Sequence, residues 1–251
     1  MPEMLYGHHA VLEALRAGRR RFYRLTLAQG IKEREAVAEI LQFAQREKIP
    51  IQRVERDSLP DLGGEAKYQG VAAEVSPYPY ADWDEIVESL LGSEEPPLLL
   101  LLDCLQDPQN LGTLLRTAEA VGVHGVAIPQ HRAAGITPAV SNASAGAVEH
   151  LRIAQVTNVA QTIAALKSNN IWVVGLEHAP QAKRYDEVDL NIPLALVIGS
   201  EGRGLGRLVR ERCDFLIRLP MRGKIGSLNA SVAGSITLYW VWQQRCTATS
   251  R

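Results

Sequence analysis

The sequence predicts an α/β protein built largely on a parallel, doubly wound sheet. Residues 98–102 are five consecutive leucines, a fully apolar run of the kind buried on both faces of such a sheet. After them, stretches of strand character alternate with stretches of helical spacing up to the C-terminus, an order that places ligands at the carboxyl ends of the strands. A smaller alternation fills residues 5–75. The 251 residues suffice for one large domain or two small ones, and the two alternations make two the expectation.

In the first body, 9–17 is a short helix with Val11, Leu12 and Leu15 on one side, stopped by Gly18. Residues 22–28 alternate apolar and polar and read as a strand, and 33–48 has helical spacing through Val37, Ile40, Leu41 and Ala44. Strands follow at 49–54 and, after the Gly63-Gly64 turn, at 71–75. The stretch 77–97, rich in Pro and acid with one short helix over 83–91, reads as a linker between a domain of residues 1–76 and one of 98–251. In the second body 111–121 is a helix and 125–128 a strand, followed by a Pro/Ser/Asn/Ala loop with a short helix. Then come strand 151–154, helix 159–168, strands 171–176, 195–198 and 215–219, and a last helix over 228–243.

Composition narrows the class. At 46% hydrophobic and 22% charged the chain is not disordered, and its 20 Gly and 13 Pro form no fibrous repeat. No apolar run approaches the ~20 residues of a membrane span, and the first residues show no secretory pattern. Cys104, Cys213 and Cys246 are odd in number with no close pair, and the six His show no ligand spacing. No disulfide framework and no metal are expected, and a reducing cytoplasm fits. The net charge is -1, but residues 1–80 carry 12 Lys+Arg against 11 acids, 81–96 none against six, and 97–251 15 against 11. Basic residues cluster at Arg16, Arg19, Arg20, Arg21 and Arg24, and again from Arg203 to Lys224. A polyanion responds to such local patches more than to the net value.

Three loops after buried strands carry polar residues that packing does not require. In the first, Asp107-Pro108 is a helix start, a side-chain cap followed by the residue best suited to the first helical position. Asn110 and Gly112 follow, and Arg116 stands one turn after the glycine, so its guanidinium can lie across Gly112 toward Asn110. The second loop, Gly199-Ser200-Glu201-Gly202-Arg203-Gly204, is glycine-rich but matches no phosphate-binding fingerprint. Its central Glu201 suits a ligand with donors or positive charge and disfavours a nucleotide-phosphate enzyme. In the third, Ser227 is a plausible N-cap with Asn229 and Ser231 in the first turns, and Ala230, Ala233 and Gly234 leave one helix side narrow enough for close backbone approach.

Together these stretches resemble the three signature motifs of the SpoU (TrmH-type) RNA ribose 2′-O-methyltransferases of the SPOUT superfamily. The motifs are Asp107-Pro108-Gln109-Asn110-Leu111-Gly112 with Arg116-Thr117-Ala118, Ile198-Gly199-Ser200-Glu201-Gly202, and Ser227-Leu228-Asn229-Ala230-Ser231. Upstream, Tyr6-Gly7-His8-His9-Ala10-Val11 and Tyr68-Gln69-Gly70-Val71 resemble the substrate-binding domain of the subfamily acting on guanosine of 23S ribosomal RNA. The resemblance implies an L30e-like RNA-binding domain before a trefoil-knotted methyltransferase domain, a homodimer, and a cytoplasmic enzyme. It implies S-adenosylmethionine held around Gly199, Leu219, Met221, Ser227 and Leu228. Asn110, Arg116, Glu201, Ser227 and Asn229 would form the catalytic group, and Arg19, Arg20, Arg21, Lys67, Tyr68 and Arg203 would contact RNA. Two rivals keep the fold with a transfer-RNA ribose or a ribosomal adenosine as acceptor, and a third is a non-catalytic RNA-binding protein.

Overall fold

The computed structural model describes residues 1–55 and 69–249. In chain order the elements begin β1 (Glu3–Tyr6), α1 (His8–Ala17), β2 (Phe22–Ala28), α2 (Glu35–Arg46), β3 (Ile51–Val54), β4 (Val71–Val75) and α3 (Trp83–Glu88). They continue β5 (Leu98–Asp103), α4 (Pro108–Ala120), β6 (Gly125–Pro129), α5 (Pro138–Ala143), β7 (Ile153–Val156), α6 (Val159–Ser168) and β8 (Trp172–Leu176). The last are β9 (Lys183–Arg184), β10 (Leu194–Gly199), α7 (Arg207–Arg212), β11 (Phe215–Arg218) and α8 (Ala230–Thr249). Every element expected from periodicity among the described residues is present, and β2, β4 and α6 have the expected bounds. The additions, β1, β9 and α7, are too short to show a period. No helix among the described residues is long and apolar enough to cross a membrane.

The chain divides into two compact units: residues 1–79 with 136–150, and residues 80–135 with 151–251. These differ from the expected division in two places. The stretch 77–97 is not a free linker, because Asp82 caps α3 through Asp84 N and Glu85 N, and Trp83, Ile86, Val87 and Leu90 are buried in the core of the second unit. Residues 136–150, expected with the second body, pack in the first.

The first unit has a four-stranded sheet in the order β1-β4-β2-β3, with β4 antiparallel to both neighbours and β3 parallel to β2. The apolar faces of α1 and α2 cover it with Leu12, Leu15, Val37, Ile40 and Ala44. Gly18 ends α1 in the left-handed conformation, φ 63°, where a side chain would be strained. Gly7, at φ 84°, lets the Asn142 amide reach the Tyr6 carbonyl at 3.0 Å; a Cβ there would lie 2.7 Å from Asn142 Nδ2.

Arg20 occupies the interior of this unit. Its Nε and Nη2 donate to the two Glu149 carboxylate oxygens at 2.8 and 2.9 Å, and Nη1 donates to Glu3 at 2.6 Å. Its side chain is 0% exposed and that of Glu149 1%. Burial opposes the charge of the guanidinium, but the Glu149 and Glu3 carboxylates outweigh it and hold Arg20 more firmly protonated than usual. The Tyr78 ring lies 5.2 Å from the same guanidinium. Arg20 is therefore a packing residue and not the RNA contact the sequence suggested. A run of arginines reads as a solvated face unless the buried acids, here 129 residues away, are known.

The second unit is a seven-stranded, wholly parallel sheet in the order β7-β6-β5-β10-β8-β11-β9. The leucines of β5 are buried at its centre. Helix α8 packs on β10 and α4 through Gly234, where an added Cβ would overlap Ile198 Cδ1 and lie 2.8 Å from Leu114 Cδ1. Thr117 and Ser235 hydroxyls meet across α4 and α8 at 2.8 Å. Gly234 thus packs within its own chain, while Ala230 and Ala233 line a cleft.

Candidate active site

The carboxyl ends of β5, β8, β10 and β11 all emerge on one edge of the sheet. After β10 the chain turns back at once: Ser200 and Gly204 form an isolated bridge, with Ser200 N donating to Gly204 O at 3.1 Å and Gly204 N to Ser200 O at 3.0 Å. Gly202 and Gly204 hold positive φ, 76° and 65°, and Gly199 has no room for a side chain. A Cβ there would overlap the Gly204 carbonyl and lie 2.5 Å from Leu205 N. The glycines are set by the tightness of the turn.

The turn forms one wall of a cleft of about 580 Å³. Gly199, Leu219, Met221, Ser227 and Leu228, the five residues expected around the cofactor, all line it, together with Leu176, Glu177, His178 and Ile198. Apolar Leu176, Ile198, Leu219 and Leu228 suit a flat heterocycle, while the Glu177 and Glu201 carboxylates suit a positively charged group. The donor set fits S-adenosylmethionine, whose adenine is apolar-faced and whose sulfonium and amine are cationic.

Asp107 caps α4 by accepting from Gln109 N and Asn110 N, with Pro108 first in the helix, as the sequence predicts. The cap fixes Asn110 beside Glu201 of the cleft wall. Asn110 Nδ2 donates to Glu201, Asn229 Nδ2 donates to Asn110 Oδ1 at 2.9 Å, and Ser231 Oγ donates to the same oxygen at 3.2 Å. Asn229 Nδ2 also lies 3.5 Å from Glu201 Oε1. One polar cluster therefore joins residues 91 and 119 positions apart from Asn110, one from each motif loop.

Asn229, not Ser227, caps α8. Its Oδ1 accepts from Ser231 N at 2.9 Å and Val232 N at 3.3 Å, and Ser227 is left exposed on the cleft wall. A cap normally accepts from the second or third residue after it, so either site was compatible with the sequence.

Arg116 projects from α4 into solvent, and no hydrogen bond or ion pair engages it among the described residues. Asn110, toward which the sequence lays this guanidinium, is engaged by Glu201, Asn229 and Ser231. Arg19 is half-buried, its guanidinium donating to the Glu149 and Pro79 carbonyls at 3.1 and 3.0 Å. Arg21 is exposed, 5.4 Å from the ring of Tyr23. Arg203 is exposed on the turn. Lys67 and Tyr68 lie outside the described residues. In the C-terminal basic cluster, Arg207 pairs with Glu211, Arg210 with Glu177, and Arg218 donates to the Ala182 carbonyl.

The sequence reading passed over Glu177. Its carboxylate lines the cleft and receives Arg210 Nε and Nη2 at 2.5 and 2.6 Å, while the same Nη2 holds Leu205 O at 3.1 Å. Glu177 directly follows β8, and the rule that ligands gather at strand carboxyl ends would have found it. Among the described residues no three His, Cys, Asp or Glu side chains gather as a metal site.

Residues 97–239 match the model of the SpoU rRNA Methylase family, and residues 4–81 match that of RNA 2'-O ribose methyltransferase substrate binding. The chain belongs to the SpoU rRNA methylase family. As a member it is an S-adenosylmethionine-dependent RNA methyltransferase. It is 45% identical over 243 residues to YacO of Bacillus subtilis (strain 168), named for the TrmH family of tRNA/rRNA methyltransferases, covering 97% of this chain and 96% of that protein. A TrmH family protein of Staphylococcus aureus (strain MSSA476) is 45% identical over 242 residues, covering 96% of each. Among solved structures, the SpoU methyltransferase AviRb from Streptomyces viridochromogenes superposes with TM-score 0.79 at 25% identity, over 98% of this chain and 91% of that one. A second AviRb structure, in complex with AdoMet, has TM-score 0.79 at 24% identity, over 97% and 90%.

Gly199→Ala is expected to weaken S-adenosylmethionine binding at least tenfold by calorimetry and to lower the melting temperature. The added methyl meets backbone rather than a side chain that could move, and overpacking of this kind costs about 1–3 kcal/mol.

Proposed function

We propose that this SpoU methyltransferase places a methyl group on a ribose 2′-hydroxyl of RNA, with a guanosine of 23S ribosomal RNA as the acceptor, in the cytoplasm. The polar cluster of Asn110, Glu201, Asn229 and Ser231 carries the reading, because it binds the three motif loops beside one cleft. Bound S-adenosylmethionine would supply a methyl on a sulfonium, so that forming the bond to the 2′-oxygen breaks the S–C bond to leave a neutral thioether and the 2′-hydroxyl proton passes to solvent water. Glu201 gives the mouth of the cleft a negative wall, and the amides of Asn110 and Asn229 hold that carboxylate in place. Arg116 cannot serve as a base, since a guanidinium offers five N–H donors and no acceptor. Its role is to stabilise the alkoxide that develops as the 2′-oxygen attacks and to orient an RNA phosphate. The match of residues 4–81 to a substrate-binding family supports RNA capture by the first unit, with Arg21 and Tyr23 as its exposed pair.

The reading includes a trefoil knot around the cleft, as the family resemblance implies, and a homodimer. Val232, Ile236, Tyr239 and Trp242 are 40–50% exposed and stand at helical spacing along one side of α8. An apolar stripe of this kind marks an interface, and a second copy would cover it. Ile236→Glu with Trp242→Glu is expected to convert a particle of about twice 27.6 kDa to a monomer in sedimentation. A wild type already monomeric at micromolar concentration refutes the dimer.

Incubation with labelled S-adenosylmethionine and unmodified 23S ribosomal RNA, 16S ribosomal RNA or transfer RNA tests the acceptor. Label is expected in 23S ribosomal RNA; label confined to transfer RNA would replace the acceptor with the rival one.

A further inference from the structure

A second groove lies across the 200–206 turn from the cofactor cleft. It encloses about 750 Å³, and Asp103, Cys104, Gln106, Asp107 and Arg132 line it with the turn. Ser200, Glu201, Arg203 and Gly204 belong to the walls of both spaces. The groove therefore adjoins the site where the methyl is given up, separated from it by one turn of chain.

The chemistry of its walls is unequal. Its carboxylates are already engaged: Asp103 Oδ2 accepts from Gly206 N at 2.7 Å, Asp107 caps α4, and Glu201 accepts from Asn110 and Asn229. The Cys104 thiol is neutral, its pKa raised by burial and then by Asp103. The arginines are not engaged. Arg132 and Arg203 are exposed and have no ion pair among the described residues.

Arg132 is held in place by its loop. Ala134 N donates to Leu105 O at 2.9 Å and Gln106 Nε2 to the Arg132 carbonyl at 3.3 Å. Its own φ is +61°, a left-handed conformation that a non-glycine residue adopts only under constraint. The loop keeps this residue left-handed and tied to the segment that leads into α4. Two exposed guanidiniums stand along a polar groove whose carboxylates are tied to amide donors, and they match the spaced anions of a nucleic-acid backbone.

We propose that this groove holds backbone phosphates of the RNA strand flanking the methylated nucleotide, with Arg132 and Arg203 as the contacts. The proposal rests on the ribose methylation argued above and extends it to a residue outside all three motifs.

Arg132→Gln and Arg132→Lys test it in the full-length protein. Three quantities are read: KM for RNA, calorimetric affinity for S-adenosylmethionine, and the salt dependence of binding to a fluorescent fragment of unmodified ribosomal RNA. For Arg132→Gln, KM is expected to rise about tenfold with cofactor affinity and melting temperature unchanged. The slope of log affinity against log salt should fall by ~0.7–1, the share of one phosphate contact. Arg132→Lys should restore the slope and only part of the affinity, because a point charge replaces a planar fork. RNA affinity and slope equal to wild type in Arg132→Gln would overturn the groove while leaving ribose methylation standing. An Arg132-dependent slope in a protein that transfers no methyl to ribose would do the reverse.

Discussion

Arg116→Ala is expected to reduce methyl transfer to RNA by far more than tenfold at saturating RNA, with S-adenosylmethionine binding unchanged by calorimetry. The split follows from position. The cleft proposed for the cofactor is walled by residues 176–178, 198–204, 219, 221, 226–230 and 233, and Arg116 is not among them. It stands exposed on α4, six residues beyond the Asn110 that joins the motif cluster. A cation there has no ion pair to lose among the described residues, so under the proposed role its removal takes away charge stabilisation of the developing alkoxide while the fold is kept. A fall of less than tenfold, under ~1.4 kcal/mol of barrier, would contradict the assignment. Arg116→Lys discriminates further: a general electrostatic role retains part of the rate, whereas bidentate orientation of a phosphate loses most of it.

Glu149→Ala is expected to destabilise the first unit by about 3–5 kcal/mol, since it strands the guanidinium of Arg20 in a site from which water is excluded. Glu3, at 25% side-chain exposure, remains as a partial partner, and Ser141, which donates to Glu149 at 3.1 Å, is stranded as well. Hydrogen exchange of the β2 and β4 amides reads the loss within that unit. Replacing both Arg20 and Glu149 by Met should recover most of it, because the pair is then gone rather than broken. A loss below ~1 kcal/mol, the level of an exposed ion pair, would contradict the buried role.

These two arginines show what was legible in the chain. Local signals carried well: the leucines of β5, the Asp107-Pro108 start of α4 and the Gly18 stop of α1 each act through neighbours a few residues away. The glycine turn after β10 was legible for the same reason, as only glycine fits against the Gly204 carbonyl. Long-range partnerships were not. Arg20 looked like Arg21 until Glu149 was placed beside it, and the glycine of α8 left open which segment approaches it until Ile198 and Leu114 were placed there. The cap of α8 fell on Asn229 because that side chain also bridges to Asn110, a tertiary preference with no local trace. Residues 136–150 joined the first unit through Asn142 and Glu149, contacts that no periodicity encodes.

The measurement that bears most directly on the central claim is transfer to a matched pair of RNAs. The methylated position is first mapped, and the fragment is then remade with a single 2′-deoxy nucleotide there. Transfer is expected to stop with the deoxy fragment while its binding changes little, since only the accepting oxygen has gone. Undiminished methylation of the deoxy fragment would mean that the methyl goes to a base, and the cleft described would have been given the wrong acceptor.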